Sequence, residues 1–291
     1  MYENYFTNEE EGTTEMEPTV AKKQVMLSRY LYSISDIKQT LMLTIVNRDT
    51  EQSLFWAYEL YFSGFQEETF DYLLDIASIA FQAYPMDCAE DNYMMDYVSY
   101  SRYLWELEPN NMHHQIGNCI VTMCLEANNL APFIKKYFKI DVTKEQENLN
   151  DTCDTFEPQD VEKYNPSFDD KPKYKVLQHA RKYAVNKTYN RLFQTYLPEN
   201  PKEIYIDNWL YYASFSPIWE QRIFQFGGTI DYENQQIVFD DEDAEEKFYS
   251  AWNYDQDEQS LETQQKAMGN PDEEYGDLQA FCNQYGYKII E

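Results

Sequence analysis

Asp49–Tyr84, DTEQSLFWAYELYFSGFQEETFDYLLDIASIAFQAY, is the stretch whose reading decides the fold. Asp49 followed by Gln52 has the form of a capping box, in which a side-chain acceptor and a returning amide satisfy free N–H groups at a helix start. Gly64 can enter the left-handed conformation that closes a helix, and Phe65 is placed for the apolar contact that accompanies such a stop. The spacing predicts two helices broken at Gly64, the second running to Pro85. Leu54, Phe55, Tyr58, Tyr61 and Phe62 in the first, and Phe70, Leu73, Leu74, Ala77, Ala80, Phe81 and Tyr84 in the second, recur at helical spacing. Both helices therefore need a partner surface.

Working outward, a helix is expected from Ser33, with Asp36 in the capping-box position and Ile37, Leu41 and Ile45 as its apolar stripe; Asn47 and Arg48 form the turn. Downstream, Tyr93–Leu107 reads as a helix whose core face carries Tyr93, Tyr97, Tyr100, Leu104 and Leu107, stopped by Pro109. A helix through Ile116, Ile120, Met123 and Ala127 follows, then a short one with Pro132 near its first turn. Helices of this length joined by short turns predict a mainly α protein of stacked helical hairpins, an irregular helical-repeat or bundle domain over 25–140. Residues 1–24 carry six Glu and no Asp around Gly12 and Pro18 and are expected to be a disordered acidic arm.

Residues 141–172 hold ten acidic and three basic residues, with Pro158, Pro166 and Pro172 interspersed, and are expected to be an acidic linker. The charge then inverts at Lys173, Lys175, Arg181, Lys182, Lys187 and Arg191, which read as one basic helix running to Leu197. This helix opens a small α+β module over 173–268. In that module EIYIDNWLYY from Glu203 is too aromatic for periodicity to choose helix or strand. Ile218–Phe226 reads as a helix ended by Gly227 and Gly228, and TIDYENQQIVF from Thr229 as a hairpin turning at Glu233–Asn234. The acidic run Asp240–Glu246 suits the start of a helix through Trp252. Residues 269–291, broken by Gly269, Pro271 and Gly276, form a C-terminal tail segment.

Over 291 residues the chain is 43% hydrophobic and 17% aromatic, enough for a core despite a net charge of −29. With 27 Tyr and 17 Phe beside 8 Gly, that core is built of large flat side chains. The charge disfavours nucleic acid and anionic membranes as partners, since either needs a basic footprint, and it would suit a basic protein partner or plain solubility. Five cysteines, an odd number at irregular spacing without a signal peptide, imply a reduced compartment, and no apolar run approaches the roughly 20 residues that span a bilayer.

Dedicated chemistry is hard to find. His113, His114, Cys119 and Cys124 match no zinc spacing, and His179 has no partner nearby in sequence. Asp240–Asp243 and Asp255–Glu258 lack the alternating ligands and central Gly of a calcium loop. No phosphate-binding glycine loop, nucleophile elbow or HExxH is present. The expectation is therefore no catalytic residue, no metal and no cofactor. Trp56, Trp105, Trp209, Trp219 and Trp252 fall at apolar positions and read as core. The cluster Trp209, Tyr211, Tyr212, Phe215 and Trp219 around Pro217 is the candidate protein-binding patch, because Trp and Tyr are enriched at interface anchors.

Ser28–Leu41 (SRYLYSISDIKQTL), Leu54–Phe65 (LFWAYELYFSGF) and Asn208–Arg222 (NWLYYASFSPIWEQR) together resemble a family of helical proteins encoded by large nucleocytoplasmic DNA viruses, over about two-thirds of the chain. The resemblance implies a viral accessory protein made in a host cytoplasm, in a viral factory or virion, and it brings no catalytic or binding residue to carry over. The expected function is a non-enzymatic protein–protein interaction scaffold or adaptor, since stacked helices expose a groove without any catalytic group. The alternatives are a nucleic-acid-associated factor working through Lys173–Arg191, and a hydrolase whose fold brings two carboxylates into one pocket. The oligomeric state is not encoded in any pattern recognised here.

Overall fold

The computed structural model describes residues 25–81, 92–144, 155–195, 197–270 and 272–290. The expected acidic arm, the end of the second helix at Tyr84, and Cys88 and Cys153 lie outside the described residues. The helices of the N-terminal half are α1 (Ile34–Val46), α2 (Thr50–Tyr61), α3 (Gln66–Ala80), α4 (Tyr93–Leu107), α5 (His114–Leu125) and α6 (Ala131–Phe138). Strand β1 (Val142–Lys144) and a 3-10 segment, Pro158–Tyr164, lead to the short α7 (Val176–Ala180). After a π turn at Glu203–Asp207 come α8 (Trp209–Ala213), α9 (Pro217–Gln225), β2 (Gly228–Asp231), β3 (Gln236–Phe239) and α10 (Glu242–Trp252). The chain ends with α11 (Leu261–Met268), α12 (Leu278–Gln284) and β4 (Tyr287–Ile289). The protein is mainly α, and its sheet among the described residues is two antiparallel two-stranded pairs, β1 with β4 and β2 with β3.

Helix α2 is the centre. Asp49 accepts from the Gln52 amide N–H at 3.0 Å, while the Gln52 side chain returns to Asp49 Oδ2 at 2.7 Å, so the cap closes side chain to side chain. Gly64 has φ +100°, and a Cβ there would strike Pro217, so both conformation and close packing require glycine. Between these ends every residue from Ser53 to Tyr61 is buried. A helix covered all round needs neighbours all round, and α1, α3, α5 and the Pro158–Tyr164 segment supply them.

That enclosure includes a carboxylate. Glu59 is fully buried; it accepts from Ser28 Oγ at 2.6 Å, the Tyr30 amide at 3.1 Å and Arg29 Nε at 2.8 Å. A buried charge survives only when paired and hydrogen-bonded, and the 28–33 loop folds over α2 to do this. Leu31 takes φ +62° within that loop. Its backbone carbonyls then serve the C-terminal half: Trp219 Nε1 donates to Ser28 O at 2.9 Å and Arg181 Nε to Tyr30 O at 3.0 Å.

Several expectations need correction. Ser33 forms no side-chain cap, and Asp36 turns inward to meet Lys187 Nζ at 2.9 Å. The described part of the expected linker is anchored to the core at Phe156, which is buried and stacks on Tyr58 at 5.9 Å, its ring filling the space where a Cβ on Gly117 would sit. Nor is 269–291 a tail, because Phe281, Cys282, Tyr285 and Tyr287 are buried and β4 pairs with β1 in the register Val142↔Ile289, Thr143↔Lys288, Lys144↔Tyr287. One contiguous buried cluster runs from Leu27 to Tyr287, so packing does not divide the chain at 140/141, 172/173 or 268/269. The basic helix is the largest departure. Helix α7 stops at Ala180, and 181–195 is held extended and turned by side chains of α1: Asn186 N donates to Thr40 Oγ1 at 2.9 Å and Gln39 Nε2 to Asn186 O at 2.9 Å. Val185, Asn186, Thr188 and Asn190 are weak helix formers, so these tertiary bonds win.

Two stability tests follow. Phe156→Ala is expected to destabilise by about 3–5 kcal/mol in urea unfolding, against the ~0.5 kcal/mol or less of a solvated linker position. Glu59→Gln, which leaves the Arg29 charge buried without its counter-ion, is expected to lose about 3–5 kcal/mol in the same assay.

Candidate functional site

The expected aromatic patch is mostly core. Trp219 is fully buried against Trp209 and Trp252, Tyr211 is buried, and Trp209, Tyr212 and Phe215 are half-buried and packed on one another or on Trp219. Phe215 reaches the hairpin through Tyr232, at 6.2 Å. The rings around Pro217 thus join α8 and α9 to the core through Trp219 and Tyr211, while Trp209, Tyr212 and Phe215 remain partly exposed.

The basic residues are dispersed as well. Arg181 is buried, donates to the carbonyls of Tyr30, Leu31 and Thr263, and is lowered to about 10 by burial. Lys187 is buried on Asp36, whose second neighbour, the Tyr205 hydroxyl, lies at 3.3 Å. Lys173 is half-buried over Trp252, Lys175 sits beside Tyr174, Lys182 is exposed, and Arg191 lies over Tyr275. With Arg181 and Lys187 inside, these two of the six basic residues are not presented to a phosphate backbone.

The pocket acid required of a hydrolase is also displaced. Burial raises Asp36 despite the attraction of Lys187, and burial raises the half-buried Asp75 on α3. Neither lines the cavity of about 570 Å³ at the 28–33 loop or the one of about 630 Å³ beside Thr40 and Lys266. His113 Nδ1 lies 2.8 Å from the Tyr61 hydroxyl, which accepts from Trp105 Nε1 at 2.7 Å, and burial holds its pKa below the ordinary value. Cys119 and Cys124 are buried thiols pushed up to about 12 and about 11, unsuited to thiolate chemistry near neutrality.

Two features were not singled out by sequence. The first is the outer face of α4. Its buried face is Met94, Val98, Ser101 and Trp105, not the tyrosine face expected. Tyr93 is 61% exposed, Tyr100 60%, Tyr103 54% and Leu107 60%. With Asp96 these residues step by three and four along one side of the helix, a stripe about 22 Å long at 1.5 Å per residue. Arg102, the one base on α4, is engaged by Asp71 at 2.5 Å and Glu106 at 2.9 Å. Asp96, Glu106 and Glu108 are exposed, so the stripe is bordered by acid.

The second feature is a cavity of about 570 Å³ where the 28–33 loop, the turn after α2, the 165–169 strand-like stretch, α9 and the end of α10 meet. Arg29, Arg222 and Lys173 line it beside Phe168, Trp252 and Tyr254, and its one acid is the exposed Asp169. Arg29 is neutralised by Glu59 at 2.8 Å and also donates to Asn165 Oδ1 at 2.8 Å and Tyr164 O at 2.6 Å. The cavity draws on residues whose association no local pattern reveals. The α4 stripe was legible as a second apolar spacing, but nothing in the sequence says which of two apolar faces turns inward.

Compared with protein-family models, curated protein sequences and solved structures, the chain matches none.

The Asp36–Lys187 pair supplies a sharp test. A carboxyl with its folded value above the ordinary 3.8 binds its proton more tightly when folded, so this group takes stability away as pH rises from 3.8 through the raised value. Desolvation outweighs attraction here. Lys187→Met alone is expected to cost about 3–5 kcal/mol at neutral pH, and Asp36→Leu/Lys187→Met to restore stability to wild type or better, measured by urea unfolding.

Proposed function

We propose that the protein is a non-enzymatic interaction module, a scaffold or adaptor, that docks a basic amphipathic helix of a partner protein on the outer face of α4. The observation that carries this reading is the exposed stripe Tyr93, Asp96, Tyr100, Tyr103 and Leu107 on a helix whose other face is fixed in the core. Apolar side chains stepping by three and four present ridges that a second helix can fill, and tyrosine is favoured at such contacts because its ring is apolar and its hydroxyl stays hydrated. An exposed apolar face on a folded monomer marks a binding surface.

Charge selects the occupant. The stripe contains Asp96 and is flanked by Glu106 and Glu108, Arg102 is already paired, and the whole chain carries −29. A second copy would bring the same charge and be repelled, whereas lysines and arginines flanking an apolar stripe would meet complementary carboxylates and be steered to them. The sequence resemblance supports reading the module as an accessory protein of a large DNA virus acting in the host cytoplasm.

A synthetic helical peptide with leucines at three–four spacing and lysines on both flanks tests the surface by fluorescence anisotropy. Saturable binding that weakens with salt and is lost in Tyr100→Glu/Tyr103→Glu, with the circular dichroism and Tm of the variant unchanged, is the expected result. Absence of binding, equal binding by an acid-flanked peptide, or a wild-type dimer dispersed by the same substitutions would each overturn it.

A further inference from the structure

The cavity beside α9 holds a cation that no described carboxylate neutralises. Arg222 packs its guanidinium carbon 3.8 Å from the Trp252 ring centroid and 4.5 Å from that of Trp219. Tyr254 supplies a side-chain contact to the guanidinium, but Nη1 is buried with no hydrogen-bond partner. No described carboxylate lies within ion-pair distance of Arg222 or Lys173. Burial consequently depresses the pKa of Arg222. A buried cation without a counter-ion is costly to keep, and an anion in the cavity would relieve that cost.

The chemistry around the pair is specific. Arg29 contributes form but little net charge, because Glu59 holds it, so the excess positive charge inside the cavity comes from Arg222 and Lys173, with Asp169 alone at the exposed rim. In a protein of net charge −29, cations left without counter-ions in a concavity are the opposite of what a solubility surface needs. Aromatic rings form part of the wall, where Tyr30 and Phe168 meet edge to face at 6.1 Å and Phe62 also lines the cavity, and the polar Gln66, Asn165, Ser167 and Gln221 form the rest. The volume of about 570 Å³ falls in the range of ~300–1,000 Å³ that small-molecule sites occupy.

We propose that this cavity binds a small planar organic phosphate, its phosphate group on Arg222 and Lys173 and its ring along Phe168. A guanidinium and an ammonium are both strong partners of phosphate oxygens, so a phosphomonoester in the cavity would supply the counter-charge that Arg222 and Lys173 lack among the described carboxylates. The site lies apart from the α4 stripe and does not depend on it.

Adenosine 5′-monophosphate serves as the probe, with adenosine and inorganic phosphate as its two halves, and quenching of tryptophan fluorescence as the readout, since Trp219 and Trp252 touch Arg222. The expected result is saturable binding of the monophosphate at millimolar concentration or below, weakened by salt, with adenosine and phosphate each bound at least about tenfold more weakly. Lys173→Gln at the half-buried rim and Arg222→Gln are each expected to weaken binding by about tenfold or more, the weight of one charge-assisted contact. Because Arg222 packs on two indoles, Tm is read alongside, and Lys173→Gln decides the matter if Arg222→Gln unfolds. No saturable quenching by the monophosphate, adenosine binding as tightly as its phosphate, or wild-type affinity in Lys173→Gln would overturn the proposal.

Discussion

A single buried carboxylate organises the molecule. Glu59 lies in a helix that has no solvent-facing side, so water cannot solvate it and the protein must. The 28–33 loop closes over α2 to donate from Ser28, Arg29 and the Tyr30 amide, and that closure orients the loop's own carbonyls away from α2. Those carbonyls become the acceptors on which Trp219 and Arg181 are pinned, from positions far along the chain. The link between the N-terminal helices and the C-terminal half is therefore not only apolar packing. It passes through one charge whose hydrogen bonds admit a single arrangement of the loop.

The distribution of charge has the same logic at larger scale. Arg29, Arg181, Lys187 and Arg222 are drawn inward, while the described acids other than Asp36 and Glu59 remain largely outside. Two of these cations meet carboxylates, Arg29 on Glu59 and Lys187 on Asp36. Arg181 is satisfied by carbonyls, and Arg222 rests on aromatic faces with one nitrogen unsatisfied. The result is an acidic exterior around an interior in which positive charge is fixed and in one place unpaired among the described carboxylates. The α4 stripe belongs to the exterior and the arginine-lined cavity to the interior, so the two proposed sites select ligands of opposite sign.

The elements that were legible share a cause. Asp49, Gly64 and Pro132 act through local geometry, a cap, a left-handed residue and a fixed φ, and each sits where the spacing put it. The hairpin was legible too, because Asp231 accepts from the Glu233 and Asn234 amides and makes its turn alone. The failures have a common cause as well. Asp36 looked like a capping residue and is half of an ion pair with Lys187; Phe156 lay in an acidic, proline-rich stretch and is a core ring; the 181–195 segment carried helical spacing and is bent to the side chains of α1. In each case the deciding partner is more than ninety residues away or on a different element.

By itself, then, the sequence determined the helical class, most of the N-terminal helix boundaries, and a chain able to bury large aromatic rings, since these follow from periodicity, capping and composition within a turn or two of each residue. The tertiary structure alone decided which of two apolar faces of α4 is covered, that the acidic and C-terminal stretches join through β1 and β4, and which cations are buried. Those outcomes depend on contacts between distant segments, where a hydrogen bond or a buried charge outweighs the fraction of a kcal/mol by which local propensity prefers one conformation to another.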